Sequence, residues 1–447
     1  MKKLFLLVFL NFLLVTVGYT QLADTATDLP SLILTLQEVE DLALQNNQTI
    51  QAQVYRLRQS YYAYQESKGN LLPQLSLSAD VGVRKENHCS SGYLLSLRQV
   101  LYHPAYYYST KEANLRYEMT KLELEKEIIQ TLFQVRQAYY QALLAQKQVY
   151  IEQSAISFFK MGLEKYEHQV SIGLSTASEL NRMKLALIRA KASLNEAQKK
   201  RQDHLYNLLT LLSLSPNTDI QLPDQEIPLP PFVQEESEMI KEMAELSIDL
   251  FCSPSLIEQW ESLARQYNPD LKRAEVNLTL TELEIKKRRA DYYPTVSVFV
   301  NGGHLCQRQE SFCCNANWNT GIQLNWNLFD GWKTSNQVLQ AKEASQAIEQ
   351  QTNQLELTIQ IDIRRLIMDL GKAYQNYLIA KQAELIAQEG LALVEQQQQL
   401  NLLSVLEYRE AIQAWQLTQQ EINQAKNNLL LIYYQLIKYA GLDLHPQ

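Results

Sequence analysis

The chain is written twice. Asn47 stands 26 residues before Pro73 and Asn268 stands 26 residues before Pro294, an offset of 221 that Gly82 and Gly303 share. Further on the offset becomes 227 to 228 and holds. Leu101-Tyr102 answers Leu328-Phe329, Val135-Arg136 answers Ile363-Arg364, Gly173-Leu174 answers Asn401-Leu402, and Tyr206 to Leu209 answers Tyr434 to Ile437. Solenoid units are about 20 to 50 residues long. A repeat of this size is a whole structural half, and each half must build the same object.

Proline usage says what that object contains. There are 12 Pro and 13 Gly, with no Pro between Pro104 and Pro216 or between Pro294 and Pro446. Pro breaks helices and Gly weakens them, so two such stretches predict continuous helix. Apolar residues recur at helical spacing at Ile129, Leu132, Tyr139, Leu143 and Tyr150, and again at Ile359, Ile363, Leu366 and Leu370. Helix over Ala105 to Ser171 would be about 100 Å long, a length that suits a coiled coil or a tube. Gly173 and Asn401 supply the left-handed residue of a turn. Thr176 and Ser404 then cap a returning helix, with Glu179 and Glu407 completing capping boxes. The returns run to Leu212 and Ala440, where Gly441 stops the second.

Each half opens with another helix. Thr35 with Glu38, and Ser255 with Glu258, read as its capping boxes. A break is expected at Asn46-Asn47 and at Asn268-Pro269. Then the period changes to two. Leu75, Leu77, Ala79 and Val81 alternate with Ser76, Ser78 and Asp80. Val296, Val298 and Val300 repeat this, although Phe299 interrupts the polar face. A further strand sets Ile322, Leu324, Trp326 and Leu328 against Gln323, Asn325 and Asn327. Such alternation over about ten residues marks a transmembrane barrel strand.

Lys2-Lys3 before the apolar run Leu4 to Val17 reads as a secretory signal over residues 1–20, with no Cys placed for a lipid anchor. The first repeat then covers 21–212, a Pro-rich linker 213–254 (with a short helix over Met239 to Leu250), the second repeat 255–441, and a tail 442–447. A net charge of −8 disfavours nucleic acid. No two of the six His share a helix face, and there is no P-loop or nucleophile elbow. The chain therefore reads as a non-enzyme without a cofactor. Each half supplies two strands, and four strands cannot seal a barrel in lipid, where open edges are not tolerated. Several chains must share one barrel.

The order helix, strand, strand, helix, turn, helix, twice over, resembles the TolC-like outer-membrane efflux proteins. The Asn47…Pro73 and Asn268…Pro294 segments, Leu328-Phe-Asp-Gly331, the Val135-Arg136 and Ile363-Arg364 pairs and the two tip turns carry the resemblance. It implies a mainly α fold with a membrane β part: a homotrimer with a twelve-stranded β-barrel in outer-membrane lipid, continued by a periplasmic α-helical barrel. It also implies the exit duct of a tripartite efflux or type I secretion system, fed by an inner-membrane transporter through a periplasmic adaptor (membrane fusion) protein. Gly173, Leu174, Asn401 and Leu402 would be the docking turns. Glu179, Glu407 and Glu410 match acidic positions near the tip, where three copies would form a ring favouring cations. For Glu179 and Glu407 this stands beside the capping role, and one residue can serve both. Some relatives latch the closed tip with a Tyr and an Arg. Gln398 and Leu403 match those positions here, leaving Tyr408 or Arg409 as substitutes.

Cys89, Cys306, Cys313 and Cys314 fall in the loops between paired strands, which would face an oxidising exterior. Disulfides are the favoured reading, for example between Cys89 and one of the second group. Spacing does not fix the pairing, and free thiols are the alternative. His88 and His304 lie close by, but the spacing fits no standard zinc pattern. Tyr93 and Tyr102 are candidates for an aromatic girdle. Arg136 and Arg364 are expected to be solvated or paired with a neighbouring helix, with no transport role. The rival reading is a secreted periplasmic coiled-coil adaptor or scaffold without a pore. The two matched strand pairs argue against it.

Overall fold

A computed structural model describes residues 32–84, 88–234, 254–308, 312–399 and 404–444. Short elements open each half: β1 (Leu32–Ile33), α1 (Leu36–Asn46) and α2 (Gln48–Gly69) in the first, α6 (Pro254–Tyr267) and α7 (Pro269–Ala290) in the second. Strands follow as β2 (Gln74–Arg84) and β3 (His88–Tyr102), then β5 (Thr295–Arg308) and β6 (Phe312–Asn325). The long helices are α3 (Pro104–Ser171) and α8 (Lys333–Gln399), of 68 and 67 residues, and the returns are α4 (Ala177–Leu212) and α9 (Val405–Ala440), of 36 each. Between the halves lie β4 (Ile220–Gln221) and one helical turn, α5 (Pro231–Gln234). A 3₁₀ turn over Leu442–Leu444 ends the described chain.

Equivalent residues hold equivalent joints. Asn47 and Asn268 are buried N-caps: Asn47 accepts from the Thr49 and Ile50 N–H groups of α2, and Asn268 from those of Asp270 and Leu271 in α7. Their side-chain amides donate to the carbonyls of Leu211 and Tyr439, both at 2.8 Å, residues that are themselves repeat counterparts. The expected breaks are thus joints pinned to the ends of the return helices. Those ends also match: Ser213 and Gly441 both adopt positive φ, 53° and 73°. A Cβ on Gly441 would sit 2.6 Å from the Tyr267 carbonyl oxygen, so glycine is required twice over there.

Some details differ from the sequence reading. Glu38 does accept from the Thr35 N–H at 2.8 Å. Ser255, however, lies inside α6, which begins at Pro254, so it is not a cap. Proline suits a first helical turn and takes that place. Trp326 and Leu328 fall beyond β6, which ends at Asn325. The Trp326 indole donates instead to the Tyr292 carbonyl at 3.1 Å, and the Asp330 carboxylate accepts from the Thr334 N–H at 2.8 Å to start α8. The joint between halves is irregular but packed. Ile220, Leu222 and Ile227 are buried in the core of the first half and Val233 in that of the second. Gln225 donates to the Tyr139 hydroxyl at 3.1 Å, Lys147 pairs with Asp224 and Lys426 with Glu226. It is a strap fastened to both hairpins. The helix expected over Met239 to Leu250 lies outside the described residues.

Candidate functional site: the sheet and the tip

The strands form one antiparallel sheet in the order β2-β3-β5-β6. Directly paired residues share a face, so the register sorts the side chains. Leu75, Leu97 and Val300 align in one row, and Leu77, Leu95, Gly302 and Trp318 in the next. Ser76, Ser96, Asn301 and Asn319 align on the opposite face. Arg98 there donates to Gln323 at 3.2 Å. Phe299, which breaks the polar pattern, lies over Gly321, where a Cβ would stand 3.0 Å from the ring. The apolar rows are open to the surroundings: Leu77, Val81, Trp318 and Ile322 are all more than two-thirds exposed. Exposed Tyr102, Tyr292, Tyr293, Trp326, Phe329 and Trp332 gather where the sheet meets the helices. Tyr93 lies within the sheet, stacked on His304. Among the described residues, no helix is long and apolar enough to cross a membrane.

The four Cys fall in strands and not in the loops expected: Cys89 in β3, Cys306 in β5, and Cys313 and Cys314 in β6, because pairing runs on almost to the hairpin ends. Register sets the backbone of Cys306 opposite Cys314 and that of Cys89 opposite Val83. The four thiols lie outside the described side chains. Among the described residues no His, Cys, Asp or Glu cluster could hold a metal ion.

At the far end, Gly173 turns the first hairpin with φ +78°, and the Leu174 N–H donates to the Gln169 carbonyl at 2.8 Å. Ile172 and Leu174 are largely exposed. Asn401 and Leu402 lie outside the described residues. Both capping boxes are formed: Glu179 accepts from the Thr176 N–H and Glu407 from the Ser404 N–H, each at 3.0 Å. A hydrogen bond from the Ser175 hydroxyl, then the Thr176 N–H, holds the Glu179 carboxyl below its ordinary value. The Ser404 N–H does most to lower Glu407. Glu410 is exposed one turn further along α9.

The capping role of Glu179 and Glu407 is therefore real, and it leaves both near solvent. Their two charges reach the same phenol: Tyr166 is pushed up to about 12, first by burial and then by Glu179 and Glu407. The start of α9 thus packs near Tyr166 of α3, in one cluster with Val405 and Tyr408. Tyr408 is no surface latch. It is 1% exposed, donates to the Phe158 carbonyl at 3.0 Å, and fills the space that Gly162 leaves, where a Cβ would meet its ring at 2.6 Å. Burial pushes its phenol up to about 12. Arg409 beside it is half-buried, its Nε without a hydrogen-bond partner. Gln398 and Leu403 lie outside the described side chains. Sequence reasoning missed this buried tie between the hairpins; a Gly facing a Tyr across two helices has no signature in one dimension.

At mid-height Arg136 is clamped by Glu40 at 2.6 Å and by Asp443, with its guanidinium 4.8 Å from the Tyr434 ring centre. Burial opposes its charge, but the hydrogen bond to Glu40 and the charge of Asp443 outweigh that and raise its pKa. Arg364 pairs with Glu261 at 2.7 Å and stays exposed.

Doubled long helical hairpins under an amphipathic antiparallel sheet define the outer-membrane channel class of protein. The chain belongs to the outer membrane efflux protein family, whose profile matches residues 39–213 and 260–442. It is an exit duct of the outer membrane, extending into the periplasm. No curated protein matches it. Solved structures share the fold at low identity. CusC, described with transmembrane channel formation, is 15% identical with a TM-score of 0.72, over 94% of this chain and 95% of that one. The Campylobacter jejuni CmeC outer membrane channel is 16% identical with a TM-score of 0.72, over 95% and 94%. The open Neisseria gonorrhoeae MtrE outer membrane channel is 16% identical with a TM-score of 0.70, over 96% of each chain.

Proposed function

We propose that three copies of this chain close one twelve-stranded barrel, with β6 of each pairing to β2 of the next. The carrying observation is a four-stranded sheet with β2 and β6 at its edges and one exposed apolar face. Unpaired backbone groups are not tolerated in lipid, and sheet closure by like copies satisfies them. The apolar rows then face lipid and the Ser, Asn, Arg98 and Gln323 face lines the lumen. The helices continue as a tube to the periplasmic tip. There the exposed Ile172 and Leu174 beside Gly173, with Asn401 and Leu402 of the second turn, receive a periplasmic adaptor bound to an inner-membrane transporter. Glu179, Glu407 and Glu410 repeat threefold as an acidic entrance that favours cations. The Lys2-Lys3 leader directs export and is removed. A disulfide forms at the outer sheet end, for which register favours Cys306 with Cys314; non-reducing peptide mapping by mass spectrometry tests it.

Conductance in planar bilayers tests the duct. The purified protein is expected to conduct ions with cation preference, reduced by Glu410→Gln with Glu407→Gln. Absence of any conductance, together with release into the soluble periplasm, would return the reading to a scaffold.

A further inference from the structure

The polar face of the sheet carries two residues for which a neutral Ser, Asn and Gln lining does not account. Arg98 of β3 pairs directly with Phe299 of β5, in one row with Gln74 and Gly321. That row lies at the helix end of the sheet, where β2 begins. The Arg98 guanidinium donates to the Gln323 side chain at 3.2 Å and to the Ser297 hydroxyl at 3.4 Å. Ser297 is 6% exposed, so packing holds one of these anchors in place. Both anchors are neutral and leave the positive charge uncancelled, and Arg98 itself is exposed. Among the described side chains of this face the other charge is Asp80. It stands six positions from Gln74 along β2, about 20 Å away. Phe299 is half-buried, and the missing side chain at Gly321 leaves room for its ring beside Arg98.

We infer that Arg98 and Phe299 form a binding station for organic anions with an aromatic body. The guanidinium takes the anionic group and the phenyl ring takes the body. The inference rests on the duct reading above, in which this face lines the lumen, and deepens it by naming a class of solute. A guanidinium stays charged at every working pH, and its planar fork matches the oxygens of a carboxylate or sulfonate. A phenyl ring offers offset or edge-to-face contact to a second ring. In the closed barrel, three such pairs stand at one height.

The field of these guanidinium groups reaches about 10 Å into the lumen at ~0.1 M salt. Glu179, Glu407 and Glu410 lie the length of α3 away, about 100 Å, so the acidic entrance and this station act independently. Each residue also has a structural use. Arg98 ties β3 to β5 and β6, and an aromatic ring shields a strand glycine. Those uses govern stability; they do not separate potassium from chloride or one sulfonate from another.

The experiment is planar-bilayer recording of the full-length protein, first under a potassium chloride gradient and then with naphthalenesulfonate or methanesulfonate added. Arg98→Gln is expected to raise the potassium-over-chloride permeability ratio about twofold or more in ~0.1 M salt, and far less in ~1 M salt, where the Debye length is ~3 Å. Arg98→Lys, which keeps the charge, is expected to restore the parent ratio. In the unsubstituted protein, naphthalenesulfonate is expected to block at concentrations roughly 3- to 10-fold below those of methanesulfonate, the range of one aromatic contact. Phe299→Leu, which keeps an apolar cover on Gly321, is expected to remove that margin. An unchanged permeability ratio in Arg98→Gln overturns the station while the conducting duct stands. Equal block of the unsubstituted protein by the two sulfonates does the same, and needs no variant to fold. Absence of conductance in the unsubstituted protein brings down the duct reading and the station with it.

Discussion

At the scale of single residues, environment separates side chains that the repeat makes look identical. Arg136→Met leaves the Asp443 carboxylate, 1% exposed, buried without its cation. Removing one partner of such a pair costs about 3–5 kcal/mol. Arg364→Met removes only a solvent-screened pair on the surface of the chain, with little effect on stability. Urea unfolding followed by circular dichroism is expected to show that contrast. The tip glutamates supply a pH effect. Both folded values are depressed, so their stabilisation is present above the ordinary value of 4.5 and is lost as pH falls through the folded value. Hydrogen-exchange protection in the first turn of α4 is expected to decline over that range. Glu179→Gln, which keeps an acceptor but does not titrate, is expected to flatten the decline. The glutamates were legible in the sequence because a capping box is local. The Arg136 clamp was not, since Glu40 and Asp443 come from opposite ends of the chain.

At the scale of elements, periodicity carried most of the information. Period two located the strands and Pro-free runs located the helices, because both patterns repeat many times over. Failures came where one residue decides an end: Ser255 lost the cap to Pro254, and Trp326 left the strand for a carbonyl of the preceding strand's approach. The face assignment of the sheet is testable by two neighbouring changes. Leu77→Lys puts a charge on the apolar rows, costing about 2–4 kcal/mol near the bilayer midplane, whereas Ser78→Lys points the other way. Heat-modifiable migration is expected to be lost for the first and kept for the second. Asn268→Ala removes a cap worth about 0.5–2 kcal/mol and also the bond to Tyr439, so a lowered unfolding midpoint is expected, with Asn47→Ala behaving alike.

At the scale of the whole molecule, strand number leads to the expectation that several chains share one barrel, but which helix faces a single chain leaves bare required coordinates. Exposure of Leu357, Met368 and Ile379 on α8 against burial of their repeat counterparts Ile129, Tyr140 and Ile151 on α3 is invisible in a sequence where both sets are apolar. Native mass spectrometry in detergent is expected to give three chains per particle. The strap between the halves carries a last consequence. It is fastened to both hairpins halfway along, through Tyr139 and Lys147 on one and Lys426 on the other. Cutting the chain in that strap is expected to untie the two hairpins from each other while leaving each hairpin's own packing in place, which limited proteolysis followed by circular dichroism would show.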